Sequence, residues 1–474
     1  MPMRYNLFAI LLFIAVSGFA QKYQKHLDAG IKLMTEEKYE QALGEFKSAI
    51  SANPKFAESY YQRARCYMNL GKYAEAKNDL ILAVDLDPKK VTYYNLRGIA
   101  YENLNDTVNA MKDYAMALLV DQNDAASYAN MSRISEARGK YKDALMQINN
   151  AIRFNSRDGN FYVSKGNILQ ALKDTAGAIK AYQEILNTDS TFYPANYALS
   201  IVYNEKEKFR EALRHIDRAI RAEVKNPEGY VEKGLILENM KDSIGALNNY
   251  NKAIELDNTF SFAYFTRGNY YRSHGNSTAA IADFSKMISL DPNDADAYIS
   301  RAECYSDTDN CAQAIQDLEM AKKINPNDPE IYFQIGICQD ETRYFREAIE
   351  SFNKAITLDS TMSSYYYSRG NSYYNLEQLD LAQKDYLKAL SVDSTNTGAY
   401  FNLGNIYFDR KEFDKAIPYY DKYLKMEPKD ADAMVNRGIC KQGLGNNKEA
   451  CEDWKTASAA GNFEAKENLN KFCK

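Results

Sequence analysis

Residues 91–124 read VTYYNLRGIAYENLNDTVNAMKDYAMALLVDQND, and the same arrangement returns every 34 residues. Its fixed point is alanine: Ala42, Ala76, Ala110, Ala144, Ala178, Ala212, Ala246, Ala280, Ala314, Ala348, Ala382, Ala416 and Ala450 follow one another without an insertion or deletion. A constant period of this length marks a stacked array of helical hairpins. Counted from Tyr23, alanine holds position 20 of each repeat. Position 8 is always small, as in Gly98 and Gly404, and position 24 is always bulky and apolar or aromatic, as in Tyr114 and Phe284. Position 4 is tyrosine in ten repeats, from Tyr60 to Tyr400. Small residues at 8 and 20 let two helices approach closely, and large ones at 4, 11 and 24 fill the gaps beside them. Proline at position 32 (Pro54, Pro88, Pro292, Pro326 and Pro428) closes the second helix, because it lacks an N–H and clashes with the preceding turn. Glycine, asparagine or a charged residue near position 15 turns the chain, as at Gly71 and Gly139.

This spacing resembles the tetratricopeptide repeat, with its small residue at 8, aromatic at 11, alanine at 20, aromatic at 24 and proline at 32. Tyr94 to Tyr101 and Tyr400 to Tyr407 are representative matches. The resemblance implies an all-α fold, a right-handed α-solenoid superhelix of thirteen tandem helix-turn-helix repeats. Their frames run 23–56, 57–90, 91–124 and onward in steps of 34 to 431–464, with a C-terminal capping helix at 465–474. His26, Asn196 and Met434 replace the tyrosine at position 4 in repeats 1, 6 and 13.

The repeats serve as their own alignment. Position 7 is arginine at Arg63, Arg97, Arg267, Arg301, Arg369 and Arg437, and position 23 is aspartate at Asp79, Asp113, Asp283, Asp317, Asp385 and Asp453. These fall in the same six repeats, and the other seven have neither residue. In an antiparallel hairpin turning near position 15, positions 7 and 23 stand at one height, so six structural ion pairs are expected between the helices.

Residues 1–20 lie off the grid. Arg4 is their one charged side chain, Leu7 to Val16 is an apolar run, and Gly18-Phe19-Ala20 ends on small residues. This reads as a secretory signal peptide cut after Ala20, with an apolar run short for a membrane span. An uncleaved anchor is the alternative. The Ala-Gln junction and tyrosine-rich repeats are similar to secreted tetratricopeptide proteins of Gram-negative bacteria, which implies the periplasm or envelope. The net charge of −5 on a long solvated array argues against binding a phosphate backbone, so no nucleic acid is expected.

Seven cysteines are an odd number. Cys66, Cys304, Cys338 and Cys440 share position 10 and read as buried fillers. Cys451 and Cys473 lie off that pattern and are a candidate disulfide holding the last helix to repeat 13. Cys440–Cys451 and Cys304–Cys311 are alternatives. Gly461 ends the last repeat helix, and Ala465, Leu469, Phe472 and Cys473 form an apolar stripe suited to a cap.

The array takes up so much of the chain that no catalytic domain is expected. His26, His215 and His274 fall in different repeats, and neither a phosphate-cradling loop nor a metal-spaced cysteine cluster is visible, so no enzyme, cofactor or metal is expected. What remains is a binding surface. In the family it resembles, first helices line the concave face, and positions 2, 5, 9, 12 and 13 share one stripe of that helix. Repeat 8 places Phe262, Phe265 and Asn269 there; repeats 11 and 12 place Tyr367, Asn371, Tyr374, Phe401, Asn405 and Phe408. Aromatics on an exposed groove serve as interface anchors, and asparagine offers a donor and an acceptor to a bound backbone. Asp296, Glu303, Asp307, Glu330, Asp340 and Glu341 in repeats 9 and 10 would favour a basic flank. The opposing reading is that the aromatics pack on one another or on the neighbouring turn. The family's carboxylate clamp is set aside, since position 5 is never basic and position 6 never carries lysine or arginine. The expectation is a non-catalytic scaffold holding a partner peptide or helix. An assembly or regulatory factor for an envelope enzyme or secretion complex, and a glycan-binding module, are the alternatives.

Overall fold

The computed structural model describes residues 22–473, and the signal peptide expected at 1–20 lies outside them. Among the described residues it is all helical. Helix α1 spans residues 22–35 and α2 Tyr39–Ala52; the pairs then continue in order to α25 (Ala431–Gly443) and α26 (Asn447–Ala459), followed by α27 (Phe463–Phe472). Odd-numbered helices up to α25 are the first helices of their repeats. The chain forms an α-solenoid of helix pairs, divided between Ala246 and Leu247 into two compact units. No helix among the described residues is long and apolar enough to cross a membrane.

Within each unit a helix packs on its neighbours in sequence, and the hairpin closes on positions 8 and 24. A Cβ added to Gly98 would come within 2.5 Å of the Tyr114 ring; one added to Gly370 or Gly404 would come within 2.7 Å of Tyr386 or Tyr420. The two positions are matched in size. Position 8 is glycine in the nine repeats whose position 24 is aromatic, and alanine or serine in the four where it is leucine or isoleucine. One volume is thus filled in two ways, as dense packing requires. The alanines at position 20 are fully buried.

The turn is held at position 15. All thirteen residues there have φ in the left-handed region: Gly71, Gly139, Gly275 and Gly445 at 70–86°, and the nine others, among them Asn105, Lys173 and Lys411, at 55–65°. This is the left-handed residue that caps a helix C-terminus. That nine are not glycine means the flanking hairpin holds a conformation that their side chains disfavour.

The six arginines and aspartates meet in each of the six repeats, with shortest N–O contacts of 2.6–2.7 Å. Each pair is bidentate, through Nε and Nη2, the geometry that suits a guanidinium to a carboxylate. The aspartates are almost wholly buried. Four of the arginines also reach back one repeat: Nη1 donates to Asn251 from Arg267 (2.5 Å), to Ser285 from Arg301 (2.9 Å), to Asn353 from Arg369 (2.5 Å) and to Asp421 from Arg437 (2.7 Å). In those four repeats the pair joins repeats as well as helices.

The cap departs from the expected frame. Helix α27 starts at Phe463, because Asn462 Oδ1 accepts from the N–H of Ala465 (2.9 Å) and sets the first turn two residues early. Ala465 is buried, and Phe472 packs against Trp454 with ring centroids 5.8 Å apart. Cys451 on α26 meets Cys473, their Cα atoms 5.8 Å apart, inside the range for a disulfide. Cys304, Cys311 and Cys440 are free and buried, which removes the Cys304–Cys311 and Cys440–Cys451 alternatives.

Candidate partner-binding face

The nine candidate residues all lie in the second unit, on first helices α15 (Ser261–Ser273), α21 (Ser363–Asn375) and α23 (Thr397–Asp409). They are not equivalent. Phe262 is 48% exposed, with Phe260 and Phe265 beside it at 6.1 and 6.4 Å between centroids. Phe265 turns partly inward onto Phe284 at 6.5 Å. The aromatics of repeats 11 and 12 are half-buried and lean on their own hairpins. Tyr367 lies against Tyr386 (5.9 Å) and over Gly398, where a Cβ would collide with it. Phe401 packs on Tyr423 (5.1 Å) and Tyr420 (6.1 Å), and Phe408 on Phe413 (6.0 Å). Tyr374 donates to Asp409 (3.0 Å), and burial with that carboxylate pushes its hydroxyl up to about 12. Packing on neighbours, the opposing reading of these aromatics, describes repeats 11 and 12 best.

The asparagines need a correction. Asn371 Oδ1 accepts from Tyr386 Oη (2.9 Å) and from Asn402 Nδ2 (3.0 Å), and Asn405 Oδ1 accepts from Tyr420 Oη (2.7 Å). Their acceptors are spent inside the hairpin, where a buried tyrosine hydroxyl needs a partner, and only Nδ2 remains for a ligand. Asn167 does the same for Tyr182 (2.7 Å). The sequence carried the signal: these three repeats join asparagine at 9 to tyrosine at 24. Repeat 8 has Phe284 at 24, and Asn269 makes no side-chain hydrogen bond within the described residues.

The acidic stretch is partly committed too. Arg272 on α15 pairs with Glu303 and, at 2.6 Å, with Asp307. Asp340 accepts from Ser372, Glu330 from Gln334 (2.7 Å) and Tyr365 (3.3 Å), and Glu341 from Cys311 (3.3 Å). Asp296 stays exposed. Burial raises the carboxyls of Glu303 and Asp340. A basic flank thus meets less free negative charge than the residue count suggests.

Sequence reading missed one group in the first unit. Glu232, on α13 (Pro227–Asn239), is 6% exposed, and its Oε1 has no hydrogen-bond partner among the described residues. Burial pushes its carboxyl up to about 7. Position 6 carries no repeat-wide preference, so nothing in the pattern marks it.

Models of the tetratricopeptide repeat match residues 33–98, 159–192, 227–260, 249–282, 271–332, 329–362 and 398–430, and a TPR repeat model matches 370–409. The chain belongs to the tetratricopeptide repeat family. TPR repeat-containing protein MJ1428 of Methanocaldococcus jannaschii is 32% identical over 130 residues, 27% of this chain and 21% of that protein, so the match spans about a fifth of the relative's length. Among solved structures, the APC/C hetero-tetramer Cut9–Hcn1 aligns over 97% of this chain and 98% of its own at 13% identity (TM-score 0.45). Yeast Tom70 aligns over 90% and 97% at 18% identity (TM-score 0.42). Members of the family are generally non-catalytic scaffolds for protein–protein interaction.

Proposed function

We propose that the first-helix face of repeats 8–12 binds a peptide segment or helix of a partner protein, with repeat 8 as its anchor. The observation that carries this is the contrast between repeats. The rings of repeats 11 and 12 are spent on packing, whereas Phe262 stands 48% exposed beside Phe260 and Phe265, with the Asn269 amide making no side-chain hydrogen bond among the described residues. An exposed aromatic cluster next to an amide able to donate and accept suits an apolar anchor residue and its backbone. Asp296 extends the same face toward a basic flank, and the Nδ2 groups of Asn371 and Asn405 offer donors to a bound backbone carbonyl. The reading includes export through the signal segment, a periplasmic or envelope location, and a Cys451–Cys473 disulfide formed there. The test is a chemically crosslinked pull-down from envelope extract, comparing wild type with Phe262→Ala/Asn269→Ala and with Tyr367→Ala/Phe401→Ala/Phe408→Ala. Loss of a crosslinked partner in the first variant with the fold intact is expected. An identical partner list in that variant would refute repeat 8 as the anchor.

A further inference from the structure

Three ligand-type side chains of adjacent repeats meet between repeats 9 and 10, and one of them, Glu341, also belongs to the acidic stretch of the face described above. Cys311 is the first residue of α18 (Cys311–Ile324), while Cys338 and Glu341 stand one turn apart near the end of α19 (Pro329–Glu341). The two sulfurs and a carboxylate oxygen all lie within 4.8 Å of one another. The Cys311 thiol donates to Glu341 (3.3 Å), and Ser306 Oγ lies 3.2 Å from Cys338 Sγ. Both cysteines are buried, and Glu341 is exposed, which opens the cluster to solvent on one side.

The other repeats show what this place ordinarily holds. Cys311 occupies position 17, which is aromatic at Tyr39, Tyr73, Tyr141, Phe209, Phe345 and Phe413. There the ring packs on the next repeat; Phe413 lies over Gly443 at position 13, where a Cβ would meet it at 2.5 Å. Only between repeats 9 and 10 do positions 17, 10 and 13 bring together thiol, thiol and carboxylate.

We propose that Cys311, Cys338 and Glu341 form a binding site for a thiophilic divalent cation of the zinc class, joining repeat 9 to repeat 10. Metal–sulfur bonds of about 2.3 Å in a tetrahedral site put two sulfurs roughly 3.8 Å apart, so the cluster needs to close by no more than about 1 Å. Two sulfurs and one carboxylate select zinc-like cations over magnesium or calcium, which take oxygen cages. The start of α18 adds the positive end of a helix dipole at Cys311, which favours its thiolate. On binding, two S–H bonds break, two metal–sulfur bonds form and two protons leave to solvent, with no change of oxidation state.

Cobalt(II) is the probe, added to the full chain reduced with a phosphine in the absence of oxygen. The expected result is one equivalent bound, a sulfur-to-cobalt charge-transfer band, and its displacement by zinc. Cys311→Ser and Cys338→Ser should abolish the band. Cys440→Ser, a buried thiol in another repeat, should keep it, as should Cys451→Ser/Cys473→Ser. Glu341→Gln changes an exposed residue, leaves helicity by circular dichroism intact, and should weaken cobalt binding at least about tenfold. No charge-transfer band in the wild type, a band that survives either serine variant, or unchanged affinity in Glu341→Gln would overturn the assignment.

Discussion

Separating Arg369 from Asp385 is the sharpest test of how the hairpins are held. Asp385 is 4% exposed and receives two charge-assisted bonds of 2.7 Å. Arg369 keeps about a fifth of its side chain in solvent, donates to Asn353, and lies 5.8 and 5.9 Å from the Tyr366 and Tyr373 rings. Asp385→Asn keeps the shape and removes the charge, leaving a mostly buried guanidinium. Arg369→Leu strands a buried carboxylate. Removing one partner of a buried pair costs about 3–5 kcal/mol, and the residual exposure of Arg369 places both variants near the lower end, at about 3 kcal/mol each. The double variant strands no charge. Its cost should fall about 2 kcal/mol or more short of the sum. Long arrays are not two-state, so the readout is native-state amide hydrogen exchange in α21 and α22 (Leu379–Val392), where local opening energies are resolved. Additivity within about 0.5 kcal/mol would refute the claim that these charges compensate each other.

Other outcomes follow from the same structure. Gly404→Ala puts a Cβ 2.7 Å from the Tyr420 ring and should destabilise repeat 12 by about 1–3 kcal/mol, while Gly44→Ala, a helical site with nothing within 4 Å, should stabilise by up to about 1 kcal/mol; chemical denaturation compares the two. Glu232 makes stability fall with rising pH. Its folded carboxyl sits near 7 against an ordinary 4.5, so the folded state holds the extra proton, and stability that is fully present below 4.5 is lost between pH 4.5 and 7. That loss amounts to about 3 kcal/mol, and Glu232→Gln should flatten this part of the curve in melts at pH 4.5 and 8. If Cys451 and Cys473 are joined, Cys473→Ser should cost the cap about 3 kcal/mol and raise exchange in α26 and α27, an effect a reductant reproduces in the wild type alone.

Much of this architecture was legible in the chain because repetition substitutes for an alignment. The co-occurrence of Arg369 with Asp385, and its recurrence in five other repeats, pointed to contact before any geometry was available. The candidate face was less legible. Periodicity says which positions share a stripe, but not whether Tyr367 lies open or rests on Gly398, since that depends on the neighbouring repeat. Asn371 and Asn269 occupy the same position and read alike. They differ because Tyr386 takes the oxygen of one and Phe284 leaves the other alone.

By itself the sequence determined the helical period, the hairpin turn near position 15, the size matching at positions 8 and 24, and the charged pairs, because all of these act within one 34-residue unit and repeat. Tertiary structure alone decided which aromatics stay exposed, that Glu232 is buried without a full set of partners, and that Cys311 meets Cys338 and Glu341. Tyr367 over Gly398 and Cys311 against Cys338 and Glu341 join residues of successive repeats, so their identity depends on two different local sequences meeting across the interface between them.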